Sequence, residues 1–164
     1  MWNFKEDLAK WEEMEKQVID ILNNDWYLIL KNPDTKGIDL LVIEKWIEVK
    51  FDVSSYKYWN FYIEFECYWK PSGIFKNEWK IKLKYWAHSD WEILILLEWK
   101  KLHSFITEKI SECRKNKSLS SKGFRIVENW GDGGRSKGLL VPKEDLKKQA
   151  KKIYILKKQE NEIL

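Results

Sequence analysis

Glycine is scarce in this chain, with seven residues in 164, below the roughly 7% of ordinary usage. Few positions are therefore free to take left-handed turns without steric cost. Proline appears three times, so no proline-rich linker divides the chain. Cys67 and Cys113 lack any C-x-x-C spacing, and with His88 and His103 they make a poor zinc set. Both thiols are read as reduced. No apolar run approaches bilayer length, the longest being Ile93-Leu94-Ile95-Leu96-Leu97. The start, Met1-Trp2-Asn3-Phe4-Lys5-Glu6-Asp7, is too charged for a signal peptide. These absences point to the cytoplasm, with no membrane partner. No internal repeat is visible.

What remains suits one globular domain over 1–164, with 44% hydrophobic and 34% charged residues. The net charge is +4, from 30 Lys+Arg against 26 Asp+Glu, which alone does not argue for nucleic acid. The basic residues cluster, however. Lys115, Lys117, Lys122 and Arg125 lie in and after a middle helix, and Lys143, Lys147, Lys148, Lys151, Lys152, Lys157 and Lys158 crowd the end. Such patches suit either a phosphate backbone or plain solvation.

The central stretch is Gly37-Ile38-Asp39-Leu40-Leu41-Val42-Ile43-Glu44-Lys45-Trp46-Ile47-Glu48-Val49-Lys50. Two apolar runs flank a turn at Glu44-Lys45-Trp46, which predicts a β-hairpin. On the second strand Glu48 and Lys50 share one face while Ile47 and Val49 point into the core. A carboxylate and an ammonium on one face, with the Asp39 carboxylate on the paired strand, can bind a hard divalent cation and poise a water beside it. The plain alternative is a solvated strand face.

Upstream, residues 5–23 carry Leu8, Trp11, Met14, Val18, Ile21 and Leu22 at helical spacing, with Asn3 as a candidate N-cap. Glu15 lies beside that stripe, with Glu12 and Glu13 as rivals. Tyr27-Leu28-Ile29-Leu30 reads as a strand, followed by a polar loop that brings Lys31 and Lys36 near Asp39. After the hairpin, strands are expected at 60–67, 80–86 and 92–97, and a helix at 99–115. Short strands follow at Phe124 to Val127 and Leu139 to Val141. Between them, Asn129 to Gly138 holds four glycines without a helix-opening phosphate-loop pattern, and reads as a mobile loop. Pro142 and Lys143 open a C-terminal basic helix, 143–164, with Leu146, Ala150, Ile153 and Tyr154 as its stripe.

The Asp39…Glu48-Val49-Lys50 pattern resembles the signature of the PD-(D/E)xK nuclease superfamily, with Ile38 where proline is usual. The spacing of Glu15 to Val18 and Leu22, with Trp26 at a turn eleven residues on, is similar to the archaeal Holliday-junction resolvase branch. Asn60-Phe61-Tyr62-Ile63-Glu64, Lys70-Pro71-Ser72-Gly73-Ile74 and Tyr85-Trp86 resemble a run in small phage-type members. The resemblance spans about residues 11–145. It implies an α/β fold with the restriction-endonuclease-like αβββαβ core, a mixed sheet flanked by helices, here with extra strands and a C-terminal helix. It further implies Asp39 and Glu48 as Mg²⁺ ligands, with Mn²⁺ able to substitute, the Val49 carbonyl as third ligand, and Glu15 completing the acidic cluster. Lys50 would activate water. Glu64 would face the site or its rim, and Lys31, Lys36, Lys57 and Ser72 would contact DNA. The implied activity is endonucleolytic hydrolysis of DNA, branched or single-stranded, by a homodimer if both strands of a junction are cut. The rivals are a DNA-binding protein of the same fold without catalysis, and a protein-interaction module.

Eleven tryptophans stand against the seven glycines. Trp26, Trp46 and Trp91 occupy turns that ordinarily take glycine, and Trp59 and Trp69 stand where similar phage nucleases have it. Two readings follow. In one, the source reads UGA as glycine; in the other, exposed rings form a stacking platform for unpaired bases.

Overall fold

A computed structural model of the chain describes residues 4–25, 29–31, 40–42, 45–52, 55–76, 83–115, 123–130 and 134–156. The chain opens with helix α1, Phe4–Asn24. Met14, Val18 and Leu22 recur every four residues and are buried together, as the helical period demands. Strands β1 (Ile29–Lys31), β2 (Leu40–Val42) and β3 (Lys45–Phe51) then form an antiparallel meander. Lys45 already pairs with Val42, so the second strand of the hairpin begins within the segment read as its turn.

Strand β3 next pairs in parallel with β6 (Leu83–Ser89). Strand β7 (Ile93–Glu98) returns antiparallel to β6 and leads into helix α3, Trp99–Lys115. The sheet order is β1-β2-β3-β6-β7-β10, the last strand being Lys152–Ile155. Ile93 to Leu97 are all buried, the continuous apolar run expected of a strand covered on both faces. A second, antiparallel sheet has the order β5-β4-β9-β8. It consists of β4 (Asn60–Cys67), β5 (Lys70–Pro71), β8 (Arg125–Trp130) and β9 (Ser136–Pro142).

These parts make an α/β structure with a mixed sheet covered on both faces. On one face Ile47, Val49, Phe51, Tyr85, Ala87, Leu94 and Leu96 pack against the buried stripe of α1. On the other, Trp86, Ile93, Ile95 and Leu97 meet Phe61, Ile63 and Phe65 of β4, Leu139 and Val141 of β9, and Leu102, Ile106 and Ile110 of α3. Among the described residues no helix is long and apolar enough to cross a membrane.

Two expectations are corrected. The C-terminal helix, α4, spans only Lys143–Lys148, and Lys152–Ile155 forms strand β10 on the edge of β7. The β-branched and aromatic residues Ile153, Tyr154 and Ile155 fit a pleated edge, and the open β7 edge outweighs the helical spacing of the apolar residues. Of the expected loop 129–138, residues 129–130 belong to β8 and 136–138 to β9, with Ser136 paired to Trp130; residues 131–133 lie outside the described residues. The crossover from β3 to β6 carries the short helix α2 (Ser55–Tyr58), β4, β5 and a 3₁₀ turn at Gly73–Phe75. The 99–115 helix follows β7 directly, as its place after the expected 92–97 strand implies.

The tryptophans divide. Trp59 (φ 59°) and Trp69 (φ 63°) have left-handed backbones, as does Tyr68 (φ 50°). Tyr68 and Trp69 form the two-residue connection between the paired Cys67 and Lys70. Positive φ at both central residues is the geometry of a type I′ turn, which favours Asn-Gly. Trp46 and Trp91 are not left-handed: Trp46 packs on the core in β3, and Trp91 meets Phe51 edge to face at 4.7 Å. Trp26 lies outside the described residues.

Candidate active site on the central strand

The alternation of β3 sends Ile47, Val49 and Phe51 toward α1 and therefore Glu48 and Lys50 toward the second sheet. Glu48 is 2% exposed. A carboxylate this far from water needs a charged partner, and the Lys50 ammonium supplies it at 2.5 Å. The lysine side chain remains 37% exposed, so one end of the pair reaches solvent.

The parallel neighbour β6 completes the surroundings, with Glu48 opposite Trp86 and Lys50 opposite His88. His88 is buried between the sheets, its ring 4.5 Å from that of Phe61. Burial, reinforced by the Lys50 charge, holds its pKa down to about 3, so the imidazole is neutral. The Trp86 indole N–H donates to His88 Nδ1 at 3.2 Å, which leaves the ring proton on Nε2. Sequence reasoning weighed His88 only as part of a scattered zinc set. Its place beside Lys50 comes from a parallel register that no local pattern announces.

At the ends of β3 and β6, Asp52 and Asp90 organise the turns. Asp52 Oδ1 accepts from the Ser55 backbone N–H and Oδ2 from that of Tyr62. Asp90, fully buried, accepts from the Glu92 and Ile93 backbone N–H groups, the Ser55 hydroxyl and the Lys143 ammonium. Burial alone would raise the Asp90 carboxyl; the Lys143 ammonium and the two backbone donors outweigh it and hold it below the usual carboxylate range. Lys143 is thus a buried tie rather than part of an open basic face. The neighbouring lysines are also engaged: Lys147 with Glu144, Lys148 with Asp145, and Lys152 with Asp25.

The remaining expected residues fall as follows. Asp39 and Lys36 lie outside the described residues. Lys31 is in β1 and Lys57 in α2. Glu15 is half-buried on α1, whose stripe packs on the sheet face opposite to Glu48. The Val49 side chain is in that same core. Glu64 does not face Glu48 and Lys50. Phe61, Ile63 and Phe65 take the inner face of β4, which turns Glu64 outward, where its Oε1 accepts from the Ser72 hydroxyl at 2.5 Å. Among the described residues no group of three or more His, Cys, Asp or Glu side chains could hold a metal ion.

Compared with known proteins, the chain matches no family model, no curated protein and no solved structure.

Proposed function

We propose that the chain is a Mg²⁺-dependent endodeoxyribonuclease of the PD-(D/E)xK type, with a restriction-endonuclease-like core. The observation that carries this reading is the Glu48–Lys50 pair. Both side chains leave one face of the central strand in contact with each other, and that strand is flanked by an antiparallel β2 and a parallel β6. Leu40 stands opposite Ile47, and the reading requires this register to continue by one pair, so that Asp39 meets Glu48.

Of the expected donor set, the described residues place Glu48 on this face, and no group of three or more candidate ligands gathers among them. Glu48 is a hard oxygen donor of the kind Mg²⁺ takes, now neutralised by the Lys50 ammonium. Glu48 and Asp39 would hold the metal, with the Val49 carbonyl as third ligand; Glu15, on the helix that covers the opposite sheet face, is left out of the set. When bound, the metal supplies Lewis-acid polarisation of a phosphoryl oxygen and a water of lowered pKa. Lys50, the solvent-reaching member of the pair, orients the attacking water and offsets charge gathering on the phosphate. His88 stays neutral beside it and adds no competing positive charge. Attack forms the new P–O bond as the bond to the leaving strand breaks. Branched DNA is the favoured substrate, through the Glu15 spacing, and two symmetric cuts would call for a homodimer.

The test is cleavage of end-labelled four-way junction, flap, duplex and single-stranded DNA, with Mg²⁺ or EDTA, by the wild type, Asp39→Asn and Lys50→Ala. Metal-dependent cutting should disappear in both variants while cooperative unfolding persists. Cutting retained by either variant overturns the assigned roles. Tight binding without cutting by the wild type would replace this reading with a non-catalytic DNA-binding protein.

A further inference from the structure

A second region shares no residue with the Glu48–Lys50 pair on β3. A groove of about 820 Å³ runs between α3 and the β4–β5 turn, lined by Trp69, Phe75, His103, Arg114 and Lys115 among others. The Phe75 and His103 rings meet edge to face at 4.9 Å along it. Arg114 and Lys115, in the last turn of α3, have no ion-pair partner among the described residues. Glu66 also lines the groove, but its carboxylate is neutralised by Lys137 at 2.9 Å. The charge offered to a ligand is therefore positive.

Trp69 is the unexpected member. The residue is 85% exposed, with the Lys137 ammonium 5.3 Å from the ring centroid. Its backbone is left-handed, a conformation that costs a non-glycine residue roughly 1–2 kcal/mol. A strained residue whose ring gains almost nothing from burial points to a use outside the fold. A flat, open ring lining the same groove as two cations suits an unpaired base with its phosphates. Duplex DNA would keep its base faces stacked and could not use the ring.

We infer that this groove binds single-stranded DNA, one base stacking on Trp69 and the flanking phosphates meeting Arg114 and Lys115. The inference does not rest on the hydrolytic reading, because binding can be read with no divalent metal present.

The experiment is fluorescence anisotropy of a labelled oligothymidylate in EDTA, across a salt series, with the full chain. Stacking on one aromatic side chain predicts that Trp69→Gly weakens binding by about 10-fold, while Trp69→Phe stays close to the wild type. Removing two phosphate contacts in Arg114→Ala/Lys115→Ala should flatten the single-strand salt slope by about 1.4. Trp59→Gly removes an equally open ring that lies outside the groove and should leave binding unchanged. Trp69→Gly relieves backbone strain, so a folding failure would not mimic the effect. The inference is overturned if the wild type fails to bind, if it prefers duplex of equal length, if Trp69→Gly binds like the wild type, or if Trp59→Gly weakens binding equally. Unchanged binding in Trp69→Gly would favour glycine as the residue natural to position 69.

Discussion

Lys143→Met isolates the buried ion pair that ties α4 to the β6–β7 turn. Methionine keeps the length and apolar stem of the side chain but leaves the fully buried Asp90 without its ammonium. Removing one partner of a buried pair costs about 3–5 kcal/mol, because the remaining charge is uncompensated. Asp90 keeps the Ser55 hydroxyl and the Glu92 and Ile93 backbone donors, which places the loss near the lower end, about 3 kcal/mol. For a domain of this size that corresponds to a fall in Tm of about 6–12 °C. Urea unfolding followed by tryptophan fluorescence would measure it, at neutral pH and again under acid conditions. In the wild type the folded-state pKa of Asp90 is depressed. Its stabilisation is complete above the unfolded-state value and is lost as pH falls through the folded value. In the variant, burial without the ammonium raises the folded pKa. The destabilisation is then greatest at neutral pH and shrinks as the carboxyl protonates on the way down. The gap between the two proteins must therefore narrow on acidification. Adding Asp90→Asn to Lys143→Met should recover part of the loss, since no charge is then buried. A loss below about 1 kcal/mol at neutral pH, the range of exposed pairs, would refute the reasoning, as would a gap that widens in acid.

Two further outcomes follow from the backbone. Trp59→Gly should stabilise the fold by about 0.5–1 kcal/mol, since relief of the left-handed strain exceeds the entropy that glycine adds to the unfolded chain; a lowered Tm would show that the ring contributes more than its exposure suggests. UGG codons at both positions 59 and 69 would end the glycine-recoding idea for the two tryptophans whose backbone supports it. Gly138→Ala should destabilise by about 1–3 kcal/mol, because its Cβ would meet the Tyr62 ring at 2.2 Å; an unchanged denaturation midpoint would mean that the ring moves aside freely.

The sequence by itself determined the parts whose signal is local. The spacing of Met14, Val18 and Leu22 announced α1, the alternation of Phe61, Ile63 and Phe65 announced β4 and its buried face, and Leu102, Ile106 and Ile110 marked α3. The two-residue separation of Glu48 and Lys50 was enough to put both on one face of a strand. A period, however, names a face without naming what covers it. The parallel pairing of β3 with β6, which sets His88 beside Lys50, joins segments far apart in the chain. The second sheet decided that Glu48 would be buried and that Glu64 would turn away. The basic end read as a helix because Leu146, Ala150, Ile153 and Tyr154 keep a helical spacing, yet an open edge on β7 took four of its residues into a strand. Lys143 looked like any lysine in a charged run; only the turn carrying Asp90, brought against it by the tertiary fold, makes it an interior residue. Local chemistry fixes which residues can share a face, and the long-range contacts of the two sheets fix which of them share a site.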